Sequence, residues 1–133
     1  MRWYTRPVEI LQAGLEAAAY RLAQIYELLS PQAAPDPLVI ASGTALLESP
    51  VWQGIVASVL GRPVATTREG EATSRGATLL AAEVLLLSDA AAAPLELGVT
   101  REPDLQRHVR YREGLERHRR LYRKLLGRRS LMP

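Results

Sequence analysis

Between Val8 and Leu29, apolar residues recur at alternating steps of three and four: Val8, Leu11, Leu15, Ala18, Leu22, Ile25 and Leu29. That spacing stacks them along one side of a helix of about six turns. Thr5 is placed to cap its N-terminus, Pro7 falls in the first turn where its missing N–H costs nothing, and Ser30-Pro31 ends the run. The prolines between Gln32 and Pro37 exclude a helix there. They lead into Leu38-Val39-Ile40-Ala41, a short apolar run that predicts a parallel strand buried on both faces.

The stretch Ser42-Gly43-Thr44-Ala45-Leu46-Leu47-Glu48 reads as a turn, and Ser49-Pro50 as the capped start of a second helix. Trp52, Ile55, Val56, Val59 and Leu60 supply the apolar face of that helix, and Gly61 stands where a left-handed C-terminal residue is wanted. Arg62 to Thr67 predicts a second short strand, with Pro63 tolerable only at its start. A third helix is expected over residues 72–88, carried by Ala72, Gly76, Leu79, Leu80, Val84 and Leu87. Gly76 inside it predicts close approach of another backbone. Residues 89–100, with four consecutive alanines and Pro94, read as a surface excursion. A last helix, about 102–126, carries Leu105, Val109, Tyr111, Leu115, Leu121, Tyr122 and Leu125 among many arginines. Its stripe is thin, which places it on the outside of the domain.

Strands alternating with helices imply an α/β fold with parallel pairing. Two strands are fewer than an independently stable sheet needs, so the sheet reads as incomplete. Further strands from polypeptide before residue 1, or a second copy of the chain, would complete it, and a homodimer or an unstable monomer is expected.

With 133 residues, 47% hydrophobic and 23% charged, the chain has the size of about one domain. No window reaches the roughly 20 apolar residues of a membrane span, and Met1 to Pro7 lacks the core of a secretory signal, so a soluble cytoplasmic protein is expected. Without cysteine, and with only His108 and His118, a thiol nucleophile, a disulfide or a Cys/His zinc site is excluded. The formal charge of +3 is divided unevenly. Residues 101–133 hold 11 basic and 4 acidic groups, leaving 6 basic against 10 acidic in the first hundred. A basic segment of this kind, with Tyr111 and Tyr122 among its arginines, suits a non-enzymatic module that binds nucleic acid or an acidic partner through residues 101–129. A solvated helix face accounts for the same residues. Only Lys124 among the 17 basic residues is lysine, which points to a coding bias toward arginine.

The strand, Ser-Gly-Thr turn and helix N-terminus at 38–50 make the arrangement that receives nucleotides and other anions. Glycine lets a ligand approach the backbone, and ligands of open α/β sheets collect beyond the carboxyl ends of strands. A plain tight connection accounts for the turn equally. Residues 39–65, including Ser42-Gly43-Thr44, Ser49-Pro50-Val51-Trp52-Gln53 and Leu60-Gly61-Arg62-Pro63-Val64, resemble the adenosine-binding segment of the FGGY carbohydrate kinases. Glu71-Ala72 followed by Gly76-Ala77 is similar to that family's next helix, Thr5 to Leu29 to its preceding long helix, and Tyr111 to Tyr122 to its C-terminal helix. The motif looks closest to the gluconate kinases, with xylulose kinases second.

The resemblance implies a ribonuclease H-like, actin-like ATPase fold, of which residues 1–133 would be part of the C-terminal, nucleotide-side domain. It also implies ATP and Mg²⁺ as cofactors and a sugar or sugar acid as phosphoryl acceptor. Carried over by position, Ser42 and Gly43 match the start of the adenosine turn, Thr44 stands in place of a second glycine, and Glu48 and Ser49 fall at the adenine-side polar contact. Thr44 departs from the pattern, since a branched side chain narrows the room for a ligand and disfavours positive φ. Phosphoryl transfer also needs a phosphate-cradling turn, a bound metal and a carboxylate base. The family carries these N-terminal to the matching residues, and Glu48, Glu69 and Glu71 read as solvated loop charges. The expectation is an adenosine half-site that is inactive alone, belonging with a missing N-terminal kinase portion.

Overall fold

Helix α1 spans Pro7–Leu29 in the computed structural model, which describes residues 4–68, 70–85 and 94–126. Its cap is Arg6 rather than Thr5, because a residue before proline is pushed into extended backbone, and Arg6 has φ −75° and ψ 148°. The Glu9 carboxylate accepts the Arg6 N–H at 2.8 Å. A 3-10 turn at Ser30–Gln32 closes the helix. The long apolar stripe read from the sequence lies mostly in the open: Val8, Leu11, Leu22, Ile25 and Leu29 are all exposed. The buried seam instead runs through Ala19 and Ala23, one residue further along than Ala18 and Leu22. Alanine lets the neighbouring helix approach closely, so the small residues rather than the large ones face the core.

The central unit is a strand, helix and strand. β1 (Val39–Ala41) pairs in parallel with β2 (Val64–Thr67), with Val39 opposite Val64 and Ala41 opposite Thr66. Between them run a single short turn of helix, α2 (Thr44–Leu47), and α3 (Pro50–Leu60). The start of α3 follows the sequence reading, with Ser49 Oγ accepting the Trp52 N–H at 3.3 Å. Gly61 ends it at φ +67°, a left-handed conformation in which a Cβ would also lie 2.6 Å from the His108 ring. Six of the eleven residues of α3 are buried, and β2 is buried along its whole length, with Val64 the largest side chain fully enclosed. β1 is not buried on both faces. It lies at the edge of the sheet, and Ile40 is 39% exposed.

Residues 97–101 are not an excursion but a third strand, β3 (Leu97–Arg101), antiparallel to β2. The sheet order is therefore β1-β2-β3, and a register shift between Ala65 and Thr67 marks a bulge. Helix α4 (Ala72–Val84) follows β2 and is capped by Leu85, while residues 86–88 of the expected helix and the alanine run lie outside the described residues. Gly76 is exposed, and a Cβ there would meet nothing within 4 Å, so among the described residues the close backbone approach expected of it is absent. α5 (Leu105–Leu126) lies on the outside of α1 and α3 and buries only Tyr111, Gly114 and Leu115. Ser58 ties its start to α3: Ser58 Oγ accepts the Asp104 N–H at 3.1 Å, and the Ser58 carbonyl lies 2.8 Å from His108 Nδ1. Asp104 in turn accepts the N–H groups of Gln106 and Arg107, both at 3.0 Å.

Candidate functional site

Parallel pairing puts the carboxyl ends of β1 and β2 at one edge of the sheet, the place where open α/β sheets receive ligands. Two connections leave from that edge, the Ser42 to Ser49 segment and the loop from Arg68 to α4. β3 enters beside them, with the Arg68 N–H donated to the Glu96 carbonyl at 3.0 Å.

Gly43 is the pivot of the first connection. It adopts φ +90° and ψ 133°, open to glycine and costly for other residues, and a Cβ built on it would meet nothing within 4 Å. The backbone is therefore bare on that side. The Gly43 carbonyl accepts the N–H groups of Leu46 and Leu47 at 3.1 and 3.0 Å, which closes α2. Ser42 and Thr44 are exposed on either side. Thr44 opens α2 in helical backbone, and the non-glycine residue with positive φ among those described is Asp36. The conformational objection to threonine therefore falls away, and only the bulk of its side chain remains.

Glu48 is exposed at the end of α2, where its N–H is donated to the Thr44 carbonyl at 2.9 Å. Ser49 is half-buried, and its hydroxyl is engaged in capping α3. Glu71 is exposed at the cap of α4 and Ala77 is exposed with Gly76, while Glu69 lies outside the described residues. Among the described residues no group of three or more His, Asp or Glu gathers as a metal-binding cluster. The described side chains at this edge therefore offer no ready set of Mg²⁺ ligands.

Gln53, the last residue of the Ser-Pro-Val-Trp-Gln match, has a role that the sequence did not reveal: it organises the turn. Gln53 is 3% exposed inside α3. Its Nε2 donates to the Leu46 and Leu47 carbonyls at 2.9 and 3.0 Å, and its Oε1 accepts from Arg101 Nε at 3.0 Å. A glutamine enclosed in an otherwise apolar helix face was the available signal.

The basic helix offers little aromatic surface. Tyr111 is buried, while the Tyr122 ring carries the Arg21 guanidinium at 4.4 Å and its hydroxyl accepts from Arg21 at 3.1 Å. Arg119 is held by Glu27 and Glu116, and Arg107 by Asp104 at 3.3 Å. A groove of about 570 Å³ lies between α1, α3 and α5, away from the Gly43 turn, lined by Leu11, Leu15, Val51, Ile55 and Arg117 among others. Burial first, and the Glu16 carboxylate second, raise the pKa of Tyr20 and Tyr111 at its margin above the ordinary tyrosine value.

The model of the FGGY family of carbohydrate kinases, C-terminal domain, matches residues 1–84. The chain belongs to that family. Among solved structures, the xylulose kinase from Rhodospirillum rubrum superposes with a TM-score of 0.70 at 24% sequence identity, covering 94% of this chain and 26% of that one. The FGGY chain described here thus shares the actin-like ATPase fold of that enzyme's C-terminal domain and spans about a quarter of its length. No curated protein sequence matches it. The family match takes in the Gly43 turn and α3, whereas β3 and α5 lie beyond it.

Proposed function

We propose that this chain is the nucleotide-side part of an ATP-dependent carbohydrate kinase, and that it holds adenosine against the Gly43 turn while polypeptide outside these residues supplies the metal, the phosphate cradle and the catalytic base. The single observation that carries the reading is Gly43 itself: positive φ, open space at its missing Cβ, and a place directly after a parallel strand at the ligand-receiving edge. Ser42 and Thr44 would flank the nucleoside, and Glu48 and Ser49 would lie on the side of the base. A sugar acid such as gluconate is the preferred acceptor on the likeness of residues 42–52, with xylulose second. The rest of a kinase chain, or a second copy, would cover the open edge of β1. The cytoplasm, where ATP is abundant, is the compartment in which this chemistry belongs.

When bound, ATP would supply the phosphoryl group; Ser42, Gly43, Thr44, Glu48 and Ser49 would only bind and orient its nucleoside. Half a site binds weakly, so titration calorimetry should report ATP and adenosine binding with Kd on the order of 0.1–1 mM. A Gly43→Val variant, which places a branched side chain in that open space and strains positive φ, should abolish it. Retained ATP affinity in Gly43→Val would overturn the reading. A coupled assay with ATP and gluconate or xylulose should show no turnover by this chain alone, and turnover above background would mean that a catalytic centre is present.

A further inference from the structure

We propose that Gln53 and Arg101 form a clamp that positions the adenosine turn from beneath, so that β3, outside the family-matched residues, sets the affinity of a site it does not touch. The inference rests on the adenosine reading above. Its physical basis is the buried side-chain amide of Gln53 and what surrounds it.

α2 is four residues long, far too short to persist by its own hydrogen bonding. Gln53 Nε2 donates to two of its carbonyls, those of Leu46 and Leu47, at 2.9 and 3.0 Å, and so holds the turn onto α3. A glutamine amide can present either its NH₂ or its oxygen to a given neighbour. Here Arg101 decides the orientation, because its Nε–H at 3.0 Å can pair only with the oxygen. With the oxygen committed to the guanidinium, the NH₂ must face Leu46 and Leu47. These carbonyls belong to residues whose N–H groups are both accepted by Gly43, so the clamp and the pivot share one hydrogen-bonded turn. Gln53 is 3% exposed, and any unpaired polar atom there would be desolvated without a partner.

Arg101 reaches this position because it closes β3, opposite Val64 of β2. It lies beyond residue 84, where the family match ends. The arrangement therefore makes the C-terminal strand a determinant of the turn through a single amide. Neither residue contacts the proposed nucleoside, so both are positioning residues.

The test is hydrogen exchange of the Leu46, Leu47 and Glu48 amides together with ATP calorimetry on the full chain, comparing Gln53→Glu, Arg101→Ala and Arg101→Lys. Glu in place of Gln53 keeps shape and the bond to Arg101 but turns an acceptor toward two carbonyls. It should speed exchange of those three amides by about tenfold and weaken ATP binding by a similar factor. The Gly61 amide at the far end of α3, bonded to the Ala57 carbonyl at 2.8 Å, should keep its protection. Arg101→Ala removes no core group and should give the same pattern at about threefold, with Arg101→Lys restoring part of the loss. If Gln53→Glu does not fold, Arg101→Ala decides. Exchange and affinity within about twofold of the unmutated chain in both variants would overturn the clamp. Failure of the unmutated chain to bind ATP overturns the adenosine reading instead, and that result is read without any variant.

Discussion

Helices α1 and α3 announce themselves in the sequence by the same spacing of apolar residues, yet the structure treats them differently. α3, with 11 residues, buries Ile55, Val56 and Val59, as the spacing foretells, and also Gln53, Ala57 and Ser58, so it is enclosed nearly all round. α1, twice as long, buries only Ala19 and Ala23 and leaves Leu11 64% and Leu29 59% exposed. Apolar periodicity therefore reports that a helix has a face to hide, and says nothing of whether the covering surface lies within the same stretch of chain. For α3 the cover is the sheet, α1 and α5. For much of α1 it is absent among the described residues, in a chain that spans about a quarter of the related xylulose kinase.

That contrast can be broken most forcefully in α3. Ile55→Ala, which empties a site 5% exposed in the core cluster, should lower stability by about 2–4 kcal/mol in urea denaturation. Gly61→Val, which combines left-handed backbone with a clash against His108, should lower the melting temperature with a cost of about 2 kcal/mol. Ser49→Ala removes the cap at the other end of the same helix and should cost about 1 kcal/mol by the same denaturant measurement. The matching change in α1, Leu11→Ser, should shift stability by no more than about 0.5 kcal/mol. A loss as large as that of Ile55→Ala would erase the distinction between the helices. Leu11→Ser does have a second expected outcome. Light scattering should show the unmutated chain self-associating through its bare apolar stripe and open β1 edge, and the variant moving toward monomer.

Much of the fold is visible in the residues because local chemistry and tertiary context agree there. Ser49-Pro50 and Gly61 bracket α3 as caps do anywhere, and the apolar runs before Gly43 and after Pro63 pair as parallel strands. β3 escaped notice because Gly98 interrupts it and its outward residues Leu97 and Val99 are exposed, as befits an edge strand, beside an alanine run that draws the eye away. The seam of α1 was displaced by one residue because small side chains, which carry little hydrophobic signal, are the ones that permit close helix contact. At the site, Ser42, Gly43, Thr44, Glu48 and Ser49 fall in one short connection, as their spacing requires. Gln53 and Arg101 are 48 residues apart, and no local pattern relates them.

Ser58 has a consequence for the integrity of the molecule. Its side chain and carbonyl grip Asp104 and His108, while β3 is laced to β2, so β3 and the start of α5 are fastened by contacts that do not pass through the peptide backbone between Leu85 and Pro94. A protease cut in that interval should yield two pieces that travel together on gel filtration, and separately expressed pieces should find each other and reassemble.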